Sequence, residues 1–308
     1  MRVLITGGTG YLGRAIVGAL VRAGHVPVVF ARTARASGLP GELVDGNVRD
    51  ARALQRAARG TDAICHAAAL VSLWRPDPGD FDAVNIGGLA NALAALPETS
   101  RRRLVYTSSF LARPPRGRAA AMAANDYQRT KVAAARLAEE AAGDADIVRL
   151  YPGVIYGPGV DTEGNLVGRL VRDHLAGRLP GVVGADRPWS YAWVDDVARA
   201  HVAALETAPA GASYVLGGDN VPQMRVFEEV RRLRGGRLPP RIPFAVAAAL
   251  GAVEEVRAAL TGRPPLITRG AVRIFREDWS LDSEAAVRDL GYRVRPIGEG
   301  VAALLATL

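Results

Sequence analysis

Through the first half of the chain, short runs of β-branched and apolar residues alternate with longer stretches in which apolar positions recur every three or four residues. The first pattern fits strands, the second helices laid against a sheet. Strands are predicted over residues 2–6, 26–30, 43–44, 63–66, 103–107 and 146–150, and helices over 13–23, 51–58, 81–96 and 127–142. Such alternation predicts an α/β fold, a Rossmann-type doubly wound parallel sheet with helices on both faces.

After Leu150 the texture changes. Pro152, Gly157, Pro158, Gly159, Gly164 and Gly168 punctuate the next stretch, and Pro239, Pro240, Pro243, Pro264 and Pro265 break later helical patterns. This reads as a smaller C-terminal substrate-binding domain. Residues 191–204 are helical and apolar enough to return to the first domain. The expected division is therefore 1–152, with a return segment near 190–204, for dinucleotide binding, and 153–189 with 205–308 for substrate.

Composition narrows the class. A chain of 308 residues, 49% hydrophobic, can bury a substantial core. Cys65 is the only cysteine, which excludes an intramolecular disulfide and a cysteine-based zinc cage and fits a reducing compartment. His25, His66, His174 and His201 show no ligand spacing, so no metal is expected. Residues 1–6 run straight into glycines rather than into a secretory leader. The apolar stretch 244–253 is too short to span a bilayer and is followed by Glu254, Glu255 and Arg257. A cytoplasmic location without a membrane partner is expected. The net charge of +8 raises the question of nucleic acid, but the arginines are scattered without interleaved aromatics, so no such partner is expected. Of the 39 basic residues, 38 are Arg, and Lys131 is the sole lysine.

The predicted strand 2–6 leads into Gly7-Gly8-Thr9-Gly10-Tyr11-Leu12-Gly13, which satisfies G-x-G-x-x-G from Gly8 and G-x-x-G-x-x-G from Gly7. Glycine allows a tight turn and close approach of backbone to a pyrophosphate, and the following helix start supplies unpaired N–H groups for the anion. A dinucleotide site is expected. The end of the second strand selects the dinucleotide, because an acid there accepts the ribose 2′-OH of NAD whereas an Arg pairs with the 2′-phosphate of NADP. Here Arg32 and Arg35 follow the strand, and no acidic residue occurs before Glu42. NADP(H) is preferred, with NAD(H) possible.

Asn125 and Asp126 can cap a helix carrying Tyr127 and Lys131 one turn apart on one face. A phenol titrates near 10, and a neighbouring ammonium is expected to lower it toward catalytic use. The strand 103–107 ends in Thr107-Ser108-Ser109, where a hydroxyl could hold a substrate carbonyl.

With these motifs in this order, the chain resembles an extended short-chain dehydrogenase/reductase nearly end to end. The likeness also rests on Asp45 to Asp50, His66-Ala67-Ala68-Ala69, Pro152-Gly153-Val154-Ile155-Tyr156-Gly157-Pro158-Gly159, Trp193-Val194-Asp195-Asp196-Val197-Ala198 and Leu290-Gly291-Tyr292. The resemblance implies Tyr127 as general acid/base, Lys131 on the nicotinamide ribose and as the group that depresses the tyrosine pKa, and Ser109 on the substrate oxygen. It implies Gly7, Gly10, Tyr11 and Leu12 at the pyrophosphate, Asn47 and Val48 at the adenine, Ala67, Ala68 and Ala69 along the cofactor path, and Pro152, Gly153 and Val154 at the nicotinamide. Asn47 departs from the family's usual Asp.

Within the family, Val154, or Gly153 in a slipped alignment, and Trp189 stand where sugar-nucleotide enzymes carry Asn and Arg, with Arg187 and Arg169 as candidate substitutes for that Arg. The pattern is more similar to dihydroflavonol-reductase-like and steroid-dehydrogenase-like members, and the second half also resembles the hopanoid-associated sugar epimerase group. The expected reaction is NADPH-dependent reduction of a small ketone or aldehyde. The alternatives are a nucleotide-sugar epimerase or dehydratase with retained NAD, and a 3β-hydroxysteroid-dehydrogenase-like enzyme. A non-enzymatic NADP-binding regulator would be marked by a broken triad, and here the triad is whole. Trp74, Phe110, Trp189 and Tyr191 are candidate pocket residues, residues 113–118 with Met122 a candidate lid, and 81–96 with 127–142 a candidate homodimer interface.

Overall fold

The computed structural model of the chain describes residues 1–96, 103–120 and 122–308. The chain opens with β1 (Arg2–Thr6), α1 (Tyr11–Arg22), β2 (Val26–Ala31), β3 (Glu42–Asp45), α2 (Ala51–Ala58) and β4 (Ala63–His66). Next, α3 (Gly79–Phe81) passes through a π turn, Asp82–Ile86, into α4 (Gly87–Ala94). The middle holds β5 (Arg103–Thr107), α5 (Asp126–Glu140), β6 (Asp146–Pro152), β7 (Val154–Tyr156), α6 (Leu166–Leu175), β8 (Val182–Val183), β9 (Pro188–Trp193) and α7 (Val194–Glu206). The last third adds β10 (Ser213–Leu216), β11 (Asp219–Pro222), α8 (Met224–Arg234), β12 (Arg241–Ile242), α9 (Phe244–Thr261), α10 (Arg269–Arg276), α11 (Glu284–Leu290) and α12 (Ile297–Leu305).

Seven strands form one parallel sheet in the order β10-β6-β5-β4-β1-β2-β3. Alternate residues of β1 point to opposite faces. Val3 and Ile5 join a core with Ile16 and Leu20 of α1 and Val197 of α7, whereas Leu4 joins Leu54 of α2, Leu89 of α4 and Ala134 of α5. Both faces are therefore covered, as the doubly wound reading requires. Strand order reverses at β1, so a crevice opens beyond the carboxyl ends of β1 and β4, the usual ligand position in such sheets. A second core, built on the small sheet β11-β9-β7 with α6, α8 and α12, sits beside it.

Three expectations change. The helix predicted over 81–96 is interrupted by its π turn, which follows from Gly87 and Gly88 being poor helix formers and from Asn85 bonding outside the helix. Residues 191–193 finish β9 rather than start a helix, because each pairs with a neighbouring strand: Tyr191 with Val154 and Trp193 with Tyr156. The chain also returns to the large sheet later than expected, since β10, from the stretch assigned to the substrate side, pairs with β6.

One buried cation ties this return together. Arg103 of β5, 2% exposed, donates to Asp146 and to the carbonyls of Ala204, Leu205 and Ala208. The last carbonyls of α7 lack intrahelical partners, so the guanidinium caps that helix while anchoring it to the sheet.

Candidate active site

At the carboxyl end of β1, Gly7 adopts φ +70°, and a Cβ there would lie 2.7 Å from the Cα of Ala68. Its N–H donates to the Phe30 carbonyl (3.1 Å) and its carbonyl accepts from Gly10 (3.0 Å), closing the turn. A Cβ on Gly13 would overlap the Gly7 carbonyl. Helix α1 begins at Tyr11, two residues before the predicted start, and Gly10 at its N-cap gives no side-chain cap. The N–H groups of its first turn are thus left to an outside acceptor. The Tyr11 ring turns away, and its hydroxyl donates to the Gly157 carbonyl (3.0 Å).

Beyond β2, Arg32 is exposed, and among the described residues no carboxylate pairs with it. Asn47 is exposed, and its Oδ1 accepts from the Arg49 N–H (3.1 Å). Val48 is buried, with its carbonyl held by Asn91 (2.8 Å). Ala67 donates to the Thr6 carbonyl (3.2 Å) and Ala68 to the Thr6 hydroxyl (3.3 Å), so Ala67 and Ala68 run against Gly7, with Ala69 next in the chain. Pro152 ends β6, Gly153 donates to the Leu216 carbonyl (3.0 Å), and Val154 opens β7.

Asn125 caps α5 by accepting from the Gln128 N–H (2.8 Å), which fixes Tyr127 and Lys131 at the start of the helix. Ser109 caps the short helical turn Phe110–Ala112, and its hydroxyl adjoins the Tyr127 phenol. Burial pushes that phenol up to about 12, and the Ser109 hydroxyl opposes the rise. Lys131 was expected to lower the phenol and does not figure among the groups that shift it. The reason is that the lysine, 2% exposed, suffers the same dry surroundings: burial brings its ammonium down to about 7. Its Nζ donates to the Thr107 carbonyl (2.9 Å) and lies 5.1 Å from the centre of the Tyr106 ring.

Asn85, and the contacts made by Thr107, His201 and His66, escaped the sequence reading. Asn85, buried in the π turn, accepts from Leu70 N–H (2.7 Å) and donates to the Thr130 hydroxyl (2.9 Å), joining the loop after Ala69 to α5. An Asn inside an otherwise apolar helical stretch, one of two there with Asn91, was the available signal. Thr107 serves two partners, because its carbonyl holds Lys131 and its hydroxyl lies 2.8 Å from His201 Nε2. His201 Nδ1 faces the Val197 carbonyl (2.8 Å), which can only accept, so the neutral ring donates there and takes the Thr107 proton at Nε2. His66 Nδ1 lies 2.9 Å from the Thr6 hydroxyl.

Both histidines are fully buried and held neutral. Burial, with the Lys131 charge, brings His66 down to about 3, and burial brings His201 down to about 4. Their unfolded pKa is near 6.5, so between these values the unfolded chain binds more protons. Stability is therefore expected to fall as pH drops from about 6.5 toward 4. Urea midpoints measured across this range should show the fall, and His201→Gln should make it shallower. An equal slope in that variant would remove His201 from the account.

Of the candidate pocket residues, Phe110 directly follows Ser109 and meets Trp279 edge-on (5.1 Å between ring centres). Trp189 stacks on Phe275 (5.2 Å) and Tyr191 meets Tyr156 edge-on (6.1 Å), so both are committed to the second core. Trp74 is half-buried in the loop after β4, where its carbonyl accepts from Ser72.

Residues 3–217 match the sequence profile of the NAD dependent epimerase/dehydratase family. The chain belongs to this family. A 2-alkyl-3-oxoalkanoate reductase of Stenotrophomonas maltophilia is 31% identical over 95% of this chain and 94% of its own length. Sterol demethylase protein B of Methylococcus capsulatus is 28% identical, over 94% of this chain and 93% of its own. The crystal structure of gox2253 superposes with a TM-score of 0.82 at 26% identity, covering 99% of this chain and 97% of that one. The extended short-chain dehydrogenase/reductase likeness seen in the motifs is thereby confirmed. The NAD dependent epimerase/dehydratase family binds NAD(P), and this chain fits the cofactor. Gly7 leaves open the space that a side chain would fill, and α1 presents an uncapped first turn at the switch point of the sheet.

Proposed function

We propose that the chain reduces a ketone or aldehyde carbonyl with NADPH, on a substrate bearing an alkyl chain. The observation that carries this reading is the Tyr127 phenol beside the Ser109 hydroxyl, with its pKa pushed up to about 12. A phenol so raised keeps its proton at neutral pH and can act as the acid in reduction. The relatives named as reductases of 2-alkyl-3-oxoalkanoates support the same direction and suggest the alkyl chain.

In this reading Ser109 donates to the carbonyl oxygen and Tyr127 gives that oxygen its proton. Lys131, fixed by Thr107, holds the nicotinamide ribose. Bound NADPH supplies the hydride. Gly7, Gly10, Tyr11 and Leu12 hold the pyrophosphate, Asn47 and Val48 the adenine, Ala67, Ala68 and Ala69 the path between, and Pro152, Gly153 and Val154 the nicotinamide end. Phe110 and the apolar side of Tyr127, which packs on the second core, suit an alkyl substrate. The faces of α3–α4 and α5 form the homodimer interface.

Arg32 takes the 2′-phosphate. Arg32→Glu is expected to raise KM for NADPH about tenfold or more, the scale of a lost charge-assisted hydrogen bond, while NADH use is kept or improved. Equal loss with both cofactors would remove Arg32 from this role. The reading as a whole is tested by following cofactor absorbance with NADPH or NADH and a panel of 3-oxoacids, ketones and aldehydes. Silence across the panel, with NAD recovered from the denatured protein, would turn the assignment to a nucleotide-sugar epimerase.

A further inference from the structure

Helix α9 carries its apolar residues on the wrong side for a core element. Ala247, Gly251, Glu254 and Ala258 face inward, with Gly251 packed against the backbone of Thr268 and Arg269 at the start of α10. The outer face shows Val246, Leu250, Val253, Val256 and Leu260, continued by Leu266 in the next loop, and Leu260 and Leu266 are 82% and 78% exposed. Eighteen residues make a stripe about 27 Å long. An exposed apolar face of this extent marks an interaction surface.

The charges around the stripe choose the partner. Residues 237–276 contain seven arginines and two glutamates, a net +5 out of the chain's +8. Both glutamates are turned off the outer face and neutralised: Glu254 accepts from Arg257 and the Leu266 N–H, and Glu255 accepts from Arg269. Beyond the helix end lies exposed Arg263, and at the other end exposed Arg276 sits 5.1 Å from the centre of the Phe244 ring. Among the described residues, no carboxylate pairs with either guanidinium. Cations at both ends of an apolar stripe match a layer that is apolar within and anionic at its surface. A second copy of the chain fits less well, since antiparallel α9 helices would set Arg263 of one against Arg276 of the other. No helix among the described residues is long and apolar enough to cross a membrane, so the helix would lie on the surface.

We propose that the outer face of α9 docks the protein onto an anionic lipid bilayer. This departs from the sequence expectation of no membrane partner, which weighed only whether 244–253 could span. The proposal does not depend on the reaction catalysed.

The test is co-sedimentation of the full chain with vesicles of phosphatidylcholine alone or mixed with phosphatidylglycerol, at low and raised salt. Binding to the anionic vesicles, weakened by salt, is expected. The double variant Leu250→Ser/Leu260→Ser, at exposed positions and checked for native circular dichroism, should bind about tenfold more weakly or less. Arg263→Glu should also weaken binding, and Val287→Ser, at an exposed site away from α9, should leave it unchanged. Absence of binding, equal binding to neutral vesicles, or binding unaffected by the double variant would each overturn the proposal. So would a solution mass that halves in the double variant, which would assign the face to a second copy.

Discussion

Tyr127→Phe is expected to lower kcat for carbonyl reduction by about 100- to 10,000-fold, the usual contribution of a positioned general acid, while cofactor affinity stays close to that of the parent. The substitution removes one oxygen and keeps the ring against the second core, so the fold has little reason to change. Single-turnover kinetics checks the loss of rate, and cofactor fluorescence titration the unchanged affinity. Because burial pushes the phenol up to about 12, reduction needs no prior ionisation, whereas alcohol oxidation needs the phenolate. Oxidation should therefore climb as pH rises toward 12, with reduction showing no such climb. A variant that keeps a tenth of the parent turnover, or an oxidation rate independent of pH, would dismiss Tyr127 as the proton donor.

The second large effect is on stability. Arg103→Leu is expected to cost about 3–5 kcal/mol, the scale for removing one partner of a buried ion pair. It strips a buried charge from Asp146 and at once uncaps the carbonyls of Ala204, Leu205 and Ala208. Urea unfolding of parent and variant measures the difference. A loss below about 1 kcal/mol, the range of exposed pairs, would show that water reaches the guanidinium and that α7 is held by its apolar contacts alone.

The readable parts of the chain were those in which local chemistry and fold agree. Strands β1, β4 and β5 match their predicted limits, as does α2, where Asp50 caps the helix and apolar residues have helical spacing. The glycine turn was legible because the strain that only glycine bears is written into residue type. Tyr127 and Lys131 were legible because one turn of helix sets their spacing. What stayed hidden depends on contacts distant in sequence. The π turn exists because Asn85 reaches Leu70 and Thr130, and nothing near residue 85 shows either partner. Tyr191 and Trp193 look helical in isolation and become a strand only beside β7. The pKa relation between Tyr127 and Lys131 came out differently for the same reason, since spacing says how near two groups stand and burial decides which form each prefers.

The solitary lysine gives this chain an unusual response to amine-directed reagents. Apart from the amino terminus, Lys131 is the one amine in a chain of 38 arginines. With its pKa brought down to about 7, roughly half of it is the neutral, nucleophilic form at neutral pH, a form that an ordinary lysine hardly populates there. Its 2% exposure limits attack to moments when the cleft admits the reagent. Acylation at this one position, read by mass, thus becomes a clock for the opening of the cleft, and a nucleotide seated over the lysine should stop it.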